Sequence, residues 1–181
     1  QGRRILRLYH LYRLSIGLAL VLPISSNFDE QFFDVVHIEL FRTGSWGYLI
    51  LNIFIAVLVH KPKHLMQLFS LALVDVIFLS ALFYAAGGTP SGIGNLLVVA
   101  VAIANILLRG RIGLLIAAIA AIALIYLTFY LSLSHPAAAA QYVQAGALGA
   151  LCFAGALFIQ GITRRLQISE TLAEKRAADV A

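Results

Sequence analysis

Asp75 carries the clearest chemical demand in this sequence, because it stands inside the apolar run "LVDVIFLSALFYAA", Leu73 to Ala86. Within lipid, a charged side chain at the centre of a helix costs an estimated +2.5 to 3.5 kcal/mol on insertion scales, so it turns inward toward a partner. Counting from the basic turn at His64, Asp75 lies about 11 residues along, roughly 16 Å at 1.5 Å per residue, close to a bilayer midplane. Asn52 lies about 8 residues, or roughly 12 Å, from the same turn on the preceding run. The pair is expected to meet across that hairpin. Three kinds of chemistry fit: a hydrogen bond that tethers two helices, a polar group in a receiving cleft, or proton or ion transfer. The third wants a relay, and this reading places no second acid or base inside a span.

The run then breaks at Gly87-Gly88-Thr89-Pro90-Ser91-Gly92 and resumes with Asn95 just inside it. Glycines reach positive φ and proline fixes φ, so the stretch reads as a tight reversal, with a contact to a ligand or partner as the alternative. Ser91 sits in a "PSG" that invites comparison with the serine motif of the rhomboid intramembrane proteases. Thr89 stands where that motif needs its first glycine, and no histidine lies in the sixth run to act as base, which excludes that chemistry. The histidines at 10, 37, 60 and 64 share no ligand spacing, and a single cysteine, Cys152, makes neither a disulfide nor a cysteine metal site. No metal, cofactor or catalytic residue is expected. Small residues recur every four positions at Gly113, Ala117 and Ala121, and again at Gly146, Ala150 and Ala154, spacings that let helix backbones approach closely. Such a face packs within its own bundle or receives a foreign transmembrane helix.

These residues are positioned by elements that belong in a bilayer. Of 181 residues, 61% are hydrophobic and 12% charged, against roughly 25% charged in soluble domains. Continuous apolar runs of about 20 residues fit transmembrane helices, whereas a β-barrel would alternate in segments of about ten. Six spans are expected: Leu8 to Phe28, Gly44 to Val59, Leu65 to Ala86, Ile93 to Leu108, Ile112 to Ser134 and Pro136 to Ile162. The fold class is therefore all-α, a polytopic bundle of six transmembrane helices.

Charge sets the expected orientation. Twelve of the thirteen Lys and Arg residues, Arg13 among them, fall on the side of the termini, and Arg42 falls on the other. Cytoplasmic flanks accumulate such residues, so both termini are expected in the cytoplasm. The opposite side holds an acidic loop, Asp29, Glu30, Asp34 and Glu39, followed by Trp46 and Tyr48, which suit an outer aromatic belt. Basic charge here reflects topology and anionic lipid rather than nucleic acid. The sixth span runs into "TRRLQISETLAEKRAADVA", which lacks Gly and Pro, so its helix is expected to continue into the cytoplasm. Residues 1–163 are read as the membrane domain, and 164–181 as the start of a signalling helix with its output at Thr163, Arg164 and Arg165.

The words "RLYHLYRLSIGL", "GSWGYLILNI", "GGTPSGIGNLLVVAVA" and "RRLQISETLAEKRAADVA" resemble the amino-terminal membrane region of the PilS family of sensor histidine kinases. The resemblance implies a six-helix sensor in the bacterial inner membrane, followed elsewhere by a PAS domain and a dimerising kinase core. ATP, magnesium and the phospho-accepting histidine would belong to that core. It further implies that the bundle detects pilin by contact with the pilin's hydrophobic helix and acts through the response regulator PilR. Under this reading the candidate contact residues are Asp75, Asn52, the turn residues 87, 88, 90, 91 and 92, Asn95, and the Gly146, Ala150, Ala154 face. Two alternatives stand beside it: a carrier of small molecules or ions using Asp75, and a sensor of lipid or of a small hydrophobic ligand.

Overall fold

The structure is a computed structural model that describes residues 2–25, 36–58, 65–108, 110–134 and 141–179. Among these residues all regular structure is helical: α1 Gly2–Ser25, α2 Ile38–Leu58, α3 Leu65–Ala85, α4 Ile93–Leu107, α5 Arg111–Ser134 and α6 Tyr142–Asp179, with a 3₁₀ turn at Thr89–Ser91 between α3 and α4. Residues Ile38–Val57, Met66–Ala85, Arg111–Leu133 and Tyr142–Thr163 are long and apolar enough to cross a membrane, while Tyr9–Leu22 and Ile93–Leu107 are apolar but shorter. Helices satisfy their own backbone groups, which is the condition for lying in hydrocarbon. The outer surface carries large apolar side chains such as Phe54, Met66, Ile122 and Phe158, exposed as lipid-facing residues should be.

Helices α4 and α5 pack on each other and each packs against both α3 and α6; α2 lies against α3, and α1 against α2. Leu79 and Phe83 of α3, Leu97 and Val101 of α4, and Ile116 and Ala120 of α5 are fully buried at the centre. Close approach is arranged by small residues. A methyl built on Gly17 of α1 would lie 3.0 Å from Leu49 Cδ1 of α2, and one on Gly149 of α6 would lie 3.4 Å from Ala121 Cβ of α5. The expected last helix is present as a single α-helix that runs without interruption to Asp179.

The starts of α1 and α2 each lie six residues earlier than the sequence-based boundaries, α2 beginning at Ile38 rather than Gly44. Six more residues of helix move every later side chain about 9 Å deeper along the axis. Tyr48 therefore lies at mid-helix and is fully buried, not in an outer aromatic belt, whereas Trp46 does face outward. The expected acidic loop at 29–34 and the turns at 60–64 and 135–136 lie outside the described residues.

Candidate functional site

The polar centre of the bundle is built from three helices. On α1, Tyr9 and Arg13 are one turn apart and share a face; on α2, Tyr48 and Asn52 do the same; Asp75 projects from the middle of α3 between them. Asp75 accepts three hydrogen bonds, from Arg13 Nε to Oδ1 at 2.8 Å, from the Tyr48 hydroxyl to Oδ1 at 3.0 Å, and from the Tyr9 hydroxyl to Oδ2 at 2.7 Å. The Arg13 guanidinium also stands 5.4 Å from the centre of the Tyr9 ring. Arg13 is 0% and Asp75 3% exposed, so this is an ion pair wholly inside the protein. Such a pair balances its desolvation through close charge-assisted contacts of this kind.

Two expectations need correction here. Arg13 does not belong with the cytoplasmic flank: it is the partner of Asp75, and it is the second ionised group inside a span that the sequence reading lacked. Its guanidinium does not release a proton in proteins, so Arg13 supplies a fixed counter-charge to Asp75 rather than a second titrating group for a relay. Asn52 does not meet Asp75 directly. Its Nδ2 donates to the Tyr48 carbonyl at 2.8 Å, which places it one link behind the tyrosine that binds the acid. Among the described residues, neither Nη nitrogen of Arg13 nor Oδ1 of Asn52 has a hydrogen-bond partner. Tyr9, Arg13 and Tyr48 were missed by residue type, although the Tyr9 and Arg13 spacing of four inside an apolar run was a readable signal.

On the other side of the bundle, the α3–α4 turn docks onto the start of α6. Gly87, Gly88 and Gly92 have φ of 81°, 91° and 74°, the left-handed region, which explains three glycines in six residues. Thr89 donates its backbone N–H to Gln141 Oε1 at 3.2 Å and its hydroxyl to Gln144 Oε1 at 2.8 Å. Ser91 donates its hydroxyl to the Gly88 carbonyl at 2.7 Å, a turn-closing role. Pro90 and Asn95 line, with Gln144, Ala147 and Leu151, an outward groove of about 350 Å³. The structure thus gathers the turn and α6 into one region, and leaves Asp75 and Asn52 in another.

The two small-residue faces have opposite fates. Gly113, Ala117 and Ala121 of α5 are buried, and Ala121 meets Gly149 of α6. Gly146, Ala150 and Ala154 of α6 are exposed, and a methyl built on Gly146 would touch nothing within 4 Å. The bundle-facing side of α6 is instead Ala145, Gly149, Cys152 and Ala156. Thr163 is half-buried and donates its hydroxyl to the Ile159 carbonyl within the helix; Arg165 is exposed, and the side chain of Arg164 lies outside the described residues.

This geometry can be set beside known proteins. The family model described as the PilS-like transmembrane domain, a six-transmembrane unit, matches residues 1–173. The chain belongs to the PilS-like transmembrane domain family. It is 64% identical over 181 residues to the sensor protein kinase PilS of Pseudomonas aeruginosa, an alignment covering 100% of this chain and 34% of that protein. The chain therefore spans about a third of the length of that relative. No solved structure matches it. The PilS-like domain is thus an all-helical, multi-pass membrane unit, as its composition and spacing had indicated.

Proposed function

We propose that this PilS-like domain is the input module of a two-component sensor kinase in the bacterial inner membrane, and that its input is the apolar transmembrane helix of a pilin subunit. One observation carries this reading: Gly146, Ala150 and Ala154 open away from the bundle on the same helix that continues unbroken to Asp179. A small-residue stripe facing lipid admits a foreign helix at close backbone distance. The groove beside it at Pro90, Asn95 and Gln144 adds polar groups at the outer end. A ligand shifts an output only through unequal affinity for two states, so docking must favour one position of α6. That helix would then carry the shift past Thr163 to a dimeric kinase core acting on the response regulator PilR. The Arg13–Asp75 pair is a structural tether in this scheme, not a transport site.

The test is photocrosslinking in cells from residues substituted one at a time on α6. Positions 146, 150 and 154 should capture pilin, and the bundle-facing positions 145 and 152 should not. Absence of a crosslink at all three outward positions would remove the reading. A second reading has its own observation: an apolar groove of about 450 Å³ between α3 and α5, bordered by Val76, Ser80, Ala81, Ala123 and Leu127, has a lining that suits an acyl chain. If lipid is the input, Ala123→Trp should abolish signal response while the pilin crosslinks stay intact.

A further inference from the structure

Gln160 is the last polar side chain on α6 before the Thr163 to Arg165 segment. Its amide nitrogen donates to Asn105 Oδ1 on α4 at 3.0 Å and to the Gly110 carbonyl in the α4–α5 turn at 2.8 Å. Both hydrogens of the amide are thereby used. Asn105 is 2% exposed and donates its own Nδ2 to the Val101 carbonyl at 2.9 Å, which leaves Oδ1 aimed at α6. The turn is shaped for the same contact. Leu108 leaves the helix in extended conformation, Gly110 has φ 74°, and a methyl on Gly113 would collide with Asn105 Oδ1 and the Leu108 carbonyl.

Two acceptors on different elements constrain α6 more than one would. A bond to Asn105 alone lets the helix swing about that point, whereas the added carbonyl sets both its rotation and its height. Turning α6 by one residue, about 100°, takes the Gln160 side chain away from both acceptors together. Asn105 is buried, so its Oδ1 is left without a partner when α6 turns, whereas the exposed Gly110 carbonyl takes water instead.

We propose that Gln160 is a positioning residue: with Asn105 and the Gly110 carbonyl it forms a latch that sets the resting rotation of α6 where that helix leaves the bundle. A helix docking on the outward face of α6 moves the output by working against this latch. The signalling half of the proposal rests on the function proposed above; the latch itself does not.

The two halves are tested separately. In the full chain carrying Cys152→Ala and reconstituted in lipid nanodiscs, spin labels at positions 115 and 165 report the distance from α5 to the end of α6. The parent should give one narrow distribution. Gln160→Leu should add a second population, and so should Gly113→Ala, which displaces Asn105 without touching α6. Thr163→Val, which removes only a bond within α6, should keep the parent distribution. If Gln160→Leu does not insert, Gln160→Asn, one methylene short of both acceptors, serves in its place. Parent distributions in both the Gln160 and Gly113 variants overturn the latch. In a full-length kinase bearing this domain, the same variants should change the ratio of autophosphorylation to phosphatase activity without added pilin. A changed distance with an unchanged ratio keeps the latch and overturns the role of α6 as output.

Discussion

Removing the Asp75 carboxylate charge leaves Arg13 as a cation buried at 0% exposure with no counter-charge, which is why single and double substitutions should diverge here. Asp75→Asn is expected to cost roughly 3–5 kcal/mol, the range for breaking one side of a buried ion pair. Arg13→Met combined with Asp75→Leu should recover part of that, because the buried cation is gone while the Tyr9 and Tyr48 hydroxyls still lose their acceptor. Denaturant unfolding of the purified domain checks both, and equal stability of the single and double variants would contradict the tether. Tyr48→Phe keeps the ring near Phe78, 5.8 Å between centroids, and deletes one of three donors to Asp75, so its loss should be smaller, about 1–3 kcal/mol. At this scale the sequence announced the acid but not its base. Asp75 is conspicuous because nothing around it is polar, whereas Arg13 sits near other arginines and takes on their explanation.

Helix α6 presents two faces whose substitutions should behave differently. Gly146→Leu meets open space, so the domain should stay as stable as the parent while capture of a pilin helix falls. Gly149→Leu drives into Ala121 and should destabilise by about 1–3 kcal/mol, the usual cost of overpacking. Comparing thermal stability with pilin crosslinking separates the two faces, and equal stability losses would show that Gly146 packs inside. Rigid transmission has its own check: in a full-length kinase bearing this domain, a Gly-Pro insertion after Arg165 breaks the hydrogen-bonded ladder of α6, and the proposed coupling of output to pilin level should be lost. The four-residue spacing of small side chains was legible in the sequence, but the direction each stripe faces was not. In lipid, inward and outward surfaces are both apolar, so hydropathy does not separate the buried Ala117 from the exposed Ala150. The start of α2 was misplaced for a related reason, because Glu39 and Arg42 look like loop residues until the helix is seen to begin at Ile38.

Across the whole molecule, all six helices were readable, four because their length and apolar content fit bilayer thickness, and α1 and α4 as shorter apolar runs. Their neighbours were not, since the α1 to α3 tether and the α4 to α6 latch each join residues more than 50 positions apart. Withdrawing Arg13 from the flanking charges leaves eleven basic residues on the side of the termini against Arg42 on the other, a bias still strong enough to set orientation. On that bias the α3–α4 turn is expected in the periplasm and the end of α6 in the cytoplasm. In a Cys152→Ala background, Asn95→Cys should react with a membrane-impermeant maleimide on cells whose inner membrane is intact. Arg165→Cys should react only after that membrane is permeabilised. Both positions are exposed in the fold, so a difference in labelling reports the side of the membrane and not burial. The reverse pattern would put the continuous end of α6 outside the cell, where ATP and a response regulator are absent, and no kinase reading would survive it.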